Sequence, residues 1–210
     1  ITRNPSDTFK SEAGISVGEN STHRFQASIS GKSGAGYYLS AKKFETDGFS
    51  ENQMAQNTNF YGKVTKDITS SLKIEGSYEY VDINRADSGW SIWMGGKVVE
   101  DTIDRRGRFV LVYSPDDAID VSLNGYFRAM DSSFTDNTAT KFAIDNEVTY
   151  GGGVRSVWRH SADGAFSAGV ETSRGNIVKY IWFSPESDYS VNKKAVYANE
   201  LLSISDLTLN

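Results

Sequence analysis

From Ile119 to Ala129 the chain alternates without a break. Ile119, Val121, Leu123, Gly125, Phe127 and Ala129 are apolar or small; Asp120, Ser122, Asn124, Tyr126 and Arg128 between them are polar or amphipathic. Successive side chains of a strand point to opposite faces, so this segment carries one oily face and one hydrated face. Seven or eight stretches of nine or more positions repeat the pattern. Strands of soluble sheets usually run about five or six residues, whereas a tilted crossing of a bilayer takes about nine to eleven. The alternation predicts the wall of an antiparallel transmembrane β-barrel.

Ten strands and the start of an eleventh can be laid out in this way. The first sets Phe9, Ser11, Ala13, Ile15 and Val17 against Lys10, Glu12 and Ser16, and the second sets Phe25, Ala27 and Ile29 against Arg24, Gln26, Ser28 and Ser30. A third follows at about 37–46. The fourth carries Phe60, Gly62 and Val64, the fifth Leu72, Ile74, Gly76, Tyr78 and Tyr80, and the sixth Gly107, Phe109, Leu111 and Tyr113. The eighth places Val148, Tyr150, Gly152, Val154 and Trp158 opposite Glu147, Thr149, Arg155 and Arg159; the ninth shows Phe166, Ala168 and Val170. A tenth is expected at about 193–202, where 195–202 also fits a short helix, and an eleventh begins at Leu207 and Leu209.

The connections sort by length. After a short loop at 18–22, tight turns fall at 33–36, 67–70, 114–117 and 160–164, and longer polar loops at 47–57, 82–104, 131–140 and 184–192. Transmembrane barrels have short turns at one end and long loops at the other. An open sheet edge facing lipid leaves backbone groups unpaired at several kcal/mol each. Ten strands and part of an eleventh also miss the even count of single-chain bacterial barrels. The expectation is a piece of a larger barrel, cut at both ends.

Composition narrows the function classes. The mean hydropathy of −0.45 and the lack of a long apolar run argue against membrane-spanning helices, but a barrel strand needs an oily residue only at every second position. Cysteine is absent, which removes thiol catalysis, disulfides and thiolate metal sites. A net charge of −5 with no basic stripe argues against a nucleic-acid partner. Aromatics at 12% suit interfacial girdles, with Tyr37, Phe44, Tyr80, Tyr113, Phe127, Trp158, Tyr180 and Trp182 as candidates. No signal peptide is visible. The polypeptide's expected neighbour is the lipid bilayer.

Several short stretches resemble a known family, the TonB-dependent outer-membrane receptors, and within it the cobalamin receptor-like and siderophore receptor branches. Ile1-Thr-Arg-Asn-Pro5 is similar to the end of the family's plug domain. Tyr37-Tyr-Leu-Ser-Ala41 followed by Asp47-Gly-Phe49 resembles its third strand and second loop. Phe60-Tyr-Gly-Lys63 with Leu72 to Tyr80 resembles the next hairpin. The strand from Val148 to Trp158 with its Gly164 turn, and Ala195-Val-Tyr-Ala198, resemble later ones. The resemblance spans nearly the whole chain on soft motifs. It implies a barrel of about twenty-two strands around an N-terminal plug, with residues 1–8 as the end of the plug or linker and 9–210 as roughly the first half of the barrel. It further implies a bacterial outer-membrane location, a TonB partner reached through an N-terminal region outside this sequence, and uptake of a metal-chelate or corrin ligand: a ferric siderophore or cobalamin. No bond chemistry, and hence no enzyme and no cofactor, is implied.

The candidate site residues follow. Trp90, Trp93 and Met94 lie in the longest loop between glycine pairs, where aromatics could catch a bulky ligand or simply pack the loop. Lys63, Lys73, Glu75, Glu79, Arg128 and Arg155 fall on the hydrated face and are expected to face the lumen. Asp47, Asp82, Asp101 and Asp104 border the loops as weak calcium candidates, although no dense acidic run is present and no metal is expected. Gly151-Gly-Gly153 sits inside a strand and suits a bend better than a phosphate cradle. His23 and His160 are the only histidines, and neither has triad-like surroundings in the sequence. Two rival readings remain, an outer-membrane hydrolase barrel with a catalytic cluster at its rim and a soluble β-sandwich or carbohydrate-binding module.

Overall fold

The computed structural model describes residues 4–48, 53–86, 96–136, 141–161, 164–181, 184–204 and 207–209. The strands are β1 (Lys10–Gly18), β2 (Thr22–Ser33), β3 (Ala35–Thr46), β4 (Ala55–Asp67), β5 (Leu72–Ala86), β6 (Val99–Tyr113), β7 (Ile119–Thr135), β8 (Lys141–Ser161), β9 (Gly164–Ile181), β10 (Ser184–Ile204) and β11 (Leu207–Leu209). They form one antiparallel sheet in chain order, open at β1 and β11. Substantial contacts run only between strands adjacent in that order, so the described residues make a single layer. A sandwich needs two. The rival sandwich reading fails here.

Register carries the alternation from strand to strand. One row across the sheet pairs Leu39, Gly62, Tyr78, Gly107, Phe127 and Tyr150 in turn. The neighbouring row pairs Tyr38, Lys63, Ser77, Arg108, Tyr126 and Gly151. Burial is inverted relative to a water-soluble domain. Leu123 is 47% exposed and Phe109 46% on the oily face, while Lys63 and Asp104 are each 5% exposed on the polar face. A single layer buries side chains on one face when it bends toward that face and they converge. The polar face is therefore the concave one.

The oily band has the height of a bilayer core. On β7 it runs ten steps from Ile119 to Ala129, roughly 34 Å along the strand and about 25 Å vertically at a barrel's usual tilt. Charged groups appear on the same face where it ends. Arg105 meets Asp131 at 3.1 Å and Lys43 meets Glu45 at 2.7 Å. At the short-turn end, Tyr37, Tyr113 and Trp158 are on the oily face as expected, and Tyr80 marks the opposite limit. Three candidate belt residues differ. Phe44 lies on the polar face beneath Arg24, and Phe127 sits mid-height with its ring over Gly107. Tyr180 lies ten positions beyond Val170 on β9, well past the band. Trp182 is outside the described residues.

The connection lengths are shorter than the sequence implied at the long-loop end. Residues 82–86 belong to β5 and 99–104 to β6, and β7 continues to Thr135. The expected loop at 184–192 is strand: β10 starts at Ser184 and pairs with β9 as far as Leu202, which also excludes the helical option at 195–202. Strand ladders thus climb past the oily band, where polar residues on both faces hide the alternation. At the other end the turns are tight. Gly34 supplies a φ of 69° between β2 and β3, a left-handed conformation that suits glycine. Asp116 Oδ1 accepts from the amides of Ala118 and Ile119, both at 2.9 Å.

The glycine triplet of β8 marks a close approach of backbones. A Cβ on Gly153 would lie 2.5 Å from the carbonyl oxygen of Val170, and one on Gly151 would lie 2.7 Å from that of Thr172. Backbone cannot yield as a side chain can. Gly153→Val is expected to block the pairing of β8 with β9. Heat-modifiable gel migration of the refolded protein should then show only the unfolded band.

Candidate functional site: the charged concave face

Strand parity delivers Lys63 from β4, Lys73, Glu75 and Glu79 from β5, Arg106 from β6, Arg128 from β7, and Glu147 and Arg155 from β8 to one face. Between β4 and β9 they build a ladder of opposite charges. Lys63 Nζ lies 3.0 Å from Glu75, and Glu79 accepts from Asn59 Nδ2 at 3.0 Å and faces Arg106 at 3.6 Å. Asp104 is the hub. It takes Arg106 at 2.6 Å and Arg128 at 2.9 Å, and Arg128 reaches on to Glu147 at 3.3 Å. Lys179 and Asp145 close the row at 2.9 Å. A carboxylate held between two guanidiniums receives charge-assisted hydrogen bonds from both.

All six residues expected on the lumen side share this face, but they divide into two groups. Lys63, Glu75, Glu79 and Arg128 are in the network; Lys73 and Arg155 are exposed and have no ion pair among the described residues. The four aspartates do not come together. Asp82 and Asp101 are on the oily-face side of β5 and β6, bonded to Tyr80 and Asn84, while Asp104 faces the opposite way between its arginines and Asp47 lies beyond β3. Among the described residues no acidic or histidine cluster has the makings of a metal site. Trp90, Trp93 and Met94 lie outside the described residues. Just after them, Val98 is fully buried against Phe134, Ala143 and Ile181, which ties that end of the loop onto the concave face.

Two features had no warning in the sequence reading. The first is a strap at the amino end. Ser6 donates its amide to Ser30 Oγ at 2.7 Å, and Lys63 Nζ donates to Asn4 Oδ1 at 2.9 Å. Pro5 packs close to Gly36, where a Cβ would come within 2.9 Å of its ring. The chain before β1 therefore runs over the concave face at the short-turn end. Lys63→Ala is expected to free this strap without unfolding the sheet. Amide exchange at residues 6–9 should then rise about tenfold or more, consistent with the loss of one buried charge-assisted bond.

The second is a cup of about 780 Å³ toward the long-loop end of the same face. Arg24, Lys42, Phe44, Asn57, Asn59 and Tyr61 are among its lining residues, and the Arg24 guanidinium sits 5.6 Å from the centre of the Phe44 ring. Parity alone would have put these on the hydrated face, but only the register shows that they are neighbours across three strands.

His23 stands at the long-loop end and His160 at the short-turn end, both on the oily-face side. His160 pairs with Glu200 at 2.5 Å. Among the described residues neither position assembles the rim cluster that a hydrolase barrel would need.

A single-layer sheet with an exposed oily face and an occluded charged face defines the wall of a transmembrane β-barrel. No protein-family model and no curated protein matches the sequence. Solved structures do match. The siderophore receptor PiuA from Acinetobacter baumannii aligns with a TM-score of 0.74 at 11% identity, over 98% of this chain and 42% of that one. The ferric citrate transporter FecA in its unliganded form aligns at 0.71 and 12%, over 99% and 37%. The copper transporter OprC aligns at 0.57 and 10%, over 88% and 34%. The chain thus spans about two fifths of these receptors and has the fold of their barrel wall. The resemblance to TonB-dependent receptors drawn from the sequence is met at the level of fold.

Proposed function

We propose that this chain is part of the barrel of a TonB-dependent outer-membrane receptor that imports a scarce, bulky nutrient, a ferric siderophore or cobalamin. The observation that carries the reading is the inverted burial, with leucine and phenylalanine outward and lysine and aspartate inward on ladders tall enough for a bilayer core. The neighbours in fold support it, since they are described as receptors and transporters rather than enzymes. On this reading residues 9–210 are wall and residues 1–8 lead out of a plug. The strap at 4–8 supports that assignment because it approaches from the concave side. Lys63, Lys73, Glu75, Glu79, Arg128 and Arg155 line the lumen. Trp90, Trp93 and Met94 serve as an external ligand catch, and TonB acts through the region preceding the plug. The wall itself performs no bond chemistry.

The test is uptake by cells that carry the full-length receptor as their sole route. Deletion should abolish high-affinity accumulation of labelled ferric siderophores or cobalamin, and dissipating the inner-membrane proton gradient should have the same effect. Unchanged accumulation of every such compound would overturn the reading.

A further inference from the structure

We infer that a groove on the oily face between β4 and β7 seats one phospholipid of the leaflet at the short-turn end, with its phosphate at Lys66 and an acyl chain along the groove. This goes beyond the uptake reading and rests only on the wall's facing lipid. The groove holds about 770 Å³, within the range of sites that enclose compact organic ligands. Val64, Tyr78, Phe109 and Phe127 are among its lining residues, and all four are exposed on the oily face. Its floor is bare backbone at Gly76 and Gly125. Other glycines of this face are roofed by neighbours: a Cβ on Gly107 would strike the Phe127 ring, and one on Gly62 would lie 3.2 Å from Leu39. A Cβ on Gly76 would meet nothing within 4 Å, and one on Gly125 only the Gly151 carbonyl oxygen at 3.9 Å. Inside a bilayer such a hollow takes hydrocarbon, because an empty one leaves its walls without dispersion contacts on one side.

The charge at the lower mouth of the groove selects a phospholipid. Register pairs Lys66 with Ile74, and the next residues of the same face are Val64 on β4 and Gly76 on β5. Lys66 is exposed and has no carboxylate partner among the described residues, while Asp67 beside it is taken by Lys32 at 3.7 Å. At the other limit of the oily band, Lys43 and Arg105 have partners in Glu45 and Asp131 at 2.7 and 3.1 Å. Height fits as well. Val64 and Gly62 stand two and four residues from Lys66, about 7 and 14 Å along the strand, and the longer distance gives roughly 11 Å of height at a barrel's usual tilt. One leaflet supplies about half of a band roughly 25 Å tall, so a tail anchored at Lys66 crosses Gly76 within its own leaflet. An ammonium suits a phosphate as a point charge, and the groove suits a hydrocarbon chain. Together they call for an amphiphile that carries the two side by side. The groove lies three strands from β1 and four from β11, so pairing at either edge of the sheet leaves it open.

Native mass spectrometry of the purified full-length protein in a neutral detergent, titrated with dioleoyl phosphatidylglycerol, reads the lipid retained. The wild type should hold one phosphatidylglycerol about tenfold or more tightly than dioleoylglycerol, which has the same chains and no phosphate. Lys66→Gln should weaken phosphatidylglycerol binding by about tenfold and leave dioleoylglycerol unchanged. Gly76→Leu should weaken both lipids by a similar factor, because its side chain occupies the path of the tail. That side chain enters open space, so the variant should fold, and heat-modifiable migration checks that it does. Inorganic phosphate in large excess should not displace the lipid. Unchanged phosphatidylglycerol binding in either variant, displacement by inorganic phosphate, or a series of equal adducts that never saturates would overturn the inference. So would a dimer that Gly76→Leu dissociates, which would assign the groove to a second copy of the protein. Each of these results leaves nutrient uptake, and with it the receptor reading, untouched. Failure of the uptake test in turn leaves lipid retention at Lys66 and Gly76 as expected.

Discussion

Leu123→Arg is expected to cost about 2–4 kcal/mol of folding stability in a bilayer, because it places a guanidinium at mid-height on the lipid side of β7. Leu123 pairs with Leu111 on one side and Val154 on the other, so no carboxylate is near to receive the charge. Asn124→Arg, one residue further along, should cost less than about 1 kcal/mol, since that side chain enters the wet concave face beside Gly153. Reversible urea unfolding in phospholipid vesicles reads both values. A sheet with a dry interior on the Leu123 side would also reject arginine, but it would not then leave Phe109 and Phe127 nearly half exposed. Equal penalties for the two neighbours would remove the distinction between faces.

The second large effect is expected at Asp104. Its side chain is 7% exposed, and Arg128 and Arg106 both end on it. Asp104→Asn keeps the shape and removes the charge that holds β6 and β7 together across the concave face. Breaking a buried pair by deleting one partner costs about 3–5 kcal/mol. Here the arginine side chains are 35% and 51% exposed and recover some hydration, so about 2 kcal/mol is expected. Arg106→Gln should cost under about 1 kcal/mol, because Asp104 keeps Arg128. The transition midpoint should fall with an unchanged slope, since the surface exposed on unfolding is the same.

Much of the architecture was readable because one physical demand, oil outward and water inward, acts on every residue between Ile119 and Ala129 and on its counterparts in other strands. The same demand explains where reading stopped. Above the oily band no lipid enforces alternation, so Asp82 to Ala86 and Val99 to Asp104 looked like loop and are ladder. The amino-terminal part of β10 was hidden for the same reason, since Asp188, Ser190 and Asn192 carry polar groups onto the side that is oily lower down. Lumen candidates could be assigned a face from parity, but their partners depend on register. Asp104 entered as a possible calcium ligand beside a loop and emerged between two guanidiniums. Arg106 and Arg108 share the parity of that face and could have been found beside it. The meeting of Arg24 with Phe44 and of Lys63 with Asn4 could not, because each joins segments whose relative register no local pattern records.

The most direct measurement uses the absence of cysteine from these 210 residues. Single cysteines placed from 119 to 129 in the full-length protein, with any cysteine outside these residues replaced by serine, are spin-labelled in phospholipid bilayers and report collisions with oxygen and with a water-soluble nickel chelate. Oxygen accessibility should peak at Val121, Leu123, Gly125 and Phe127, and nickel accessibility at Ser122, Asn124, Tyr126 and Arg128, two opposed waves of period two. A flat profile, or low accessibility to both reagents at the odd positions, would mean that this surface does not meet lipid.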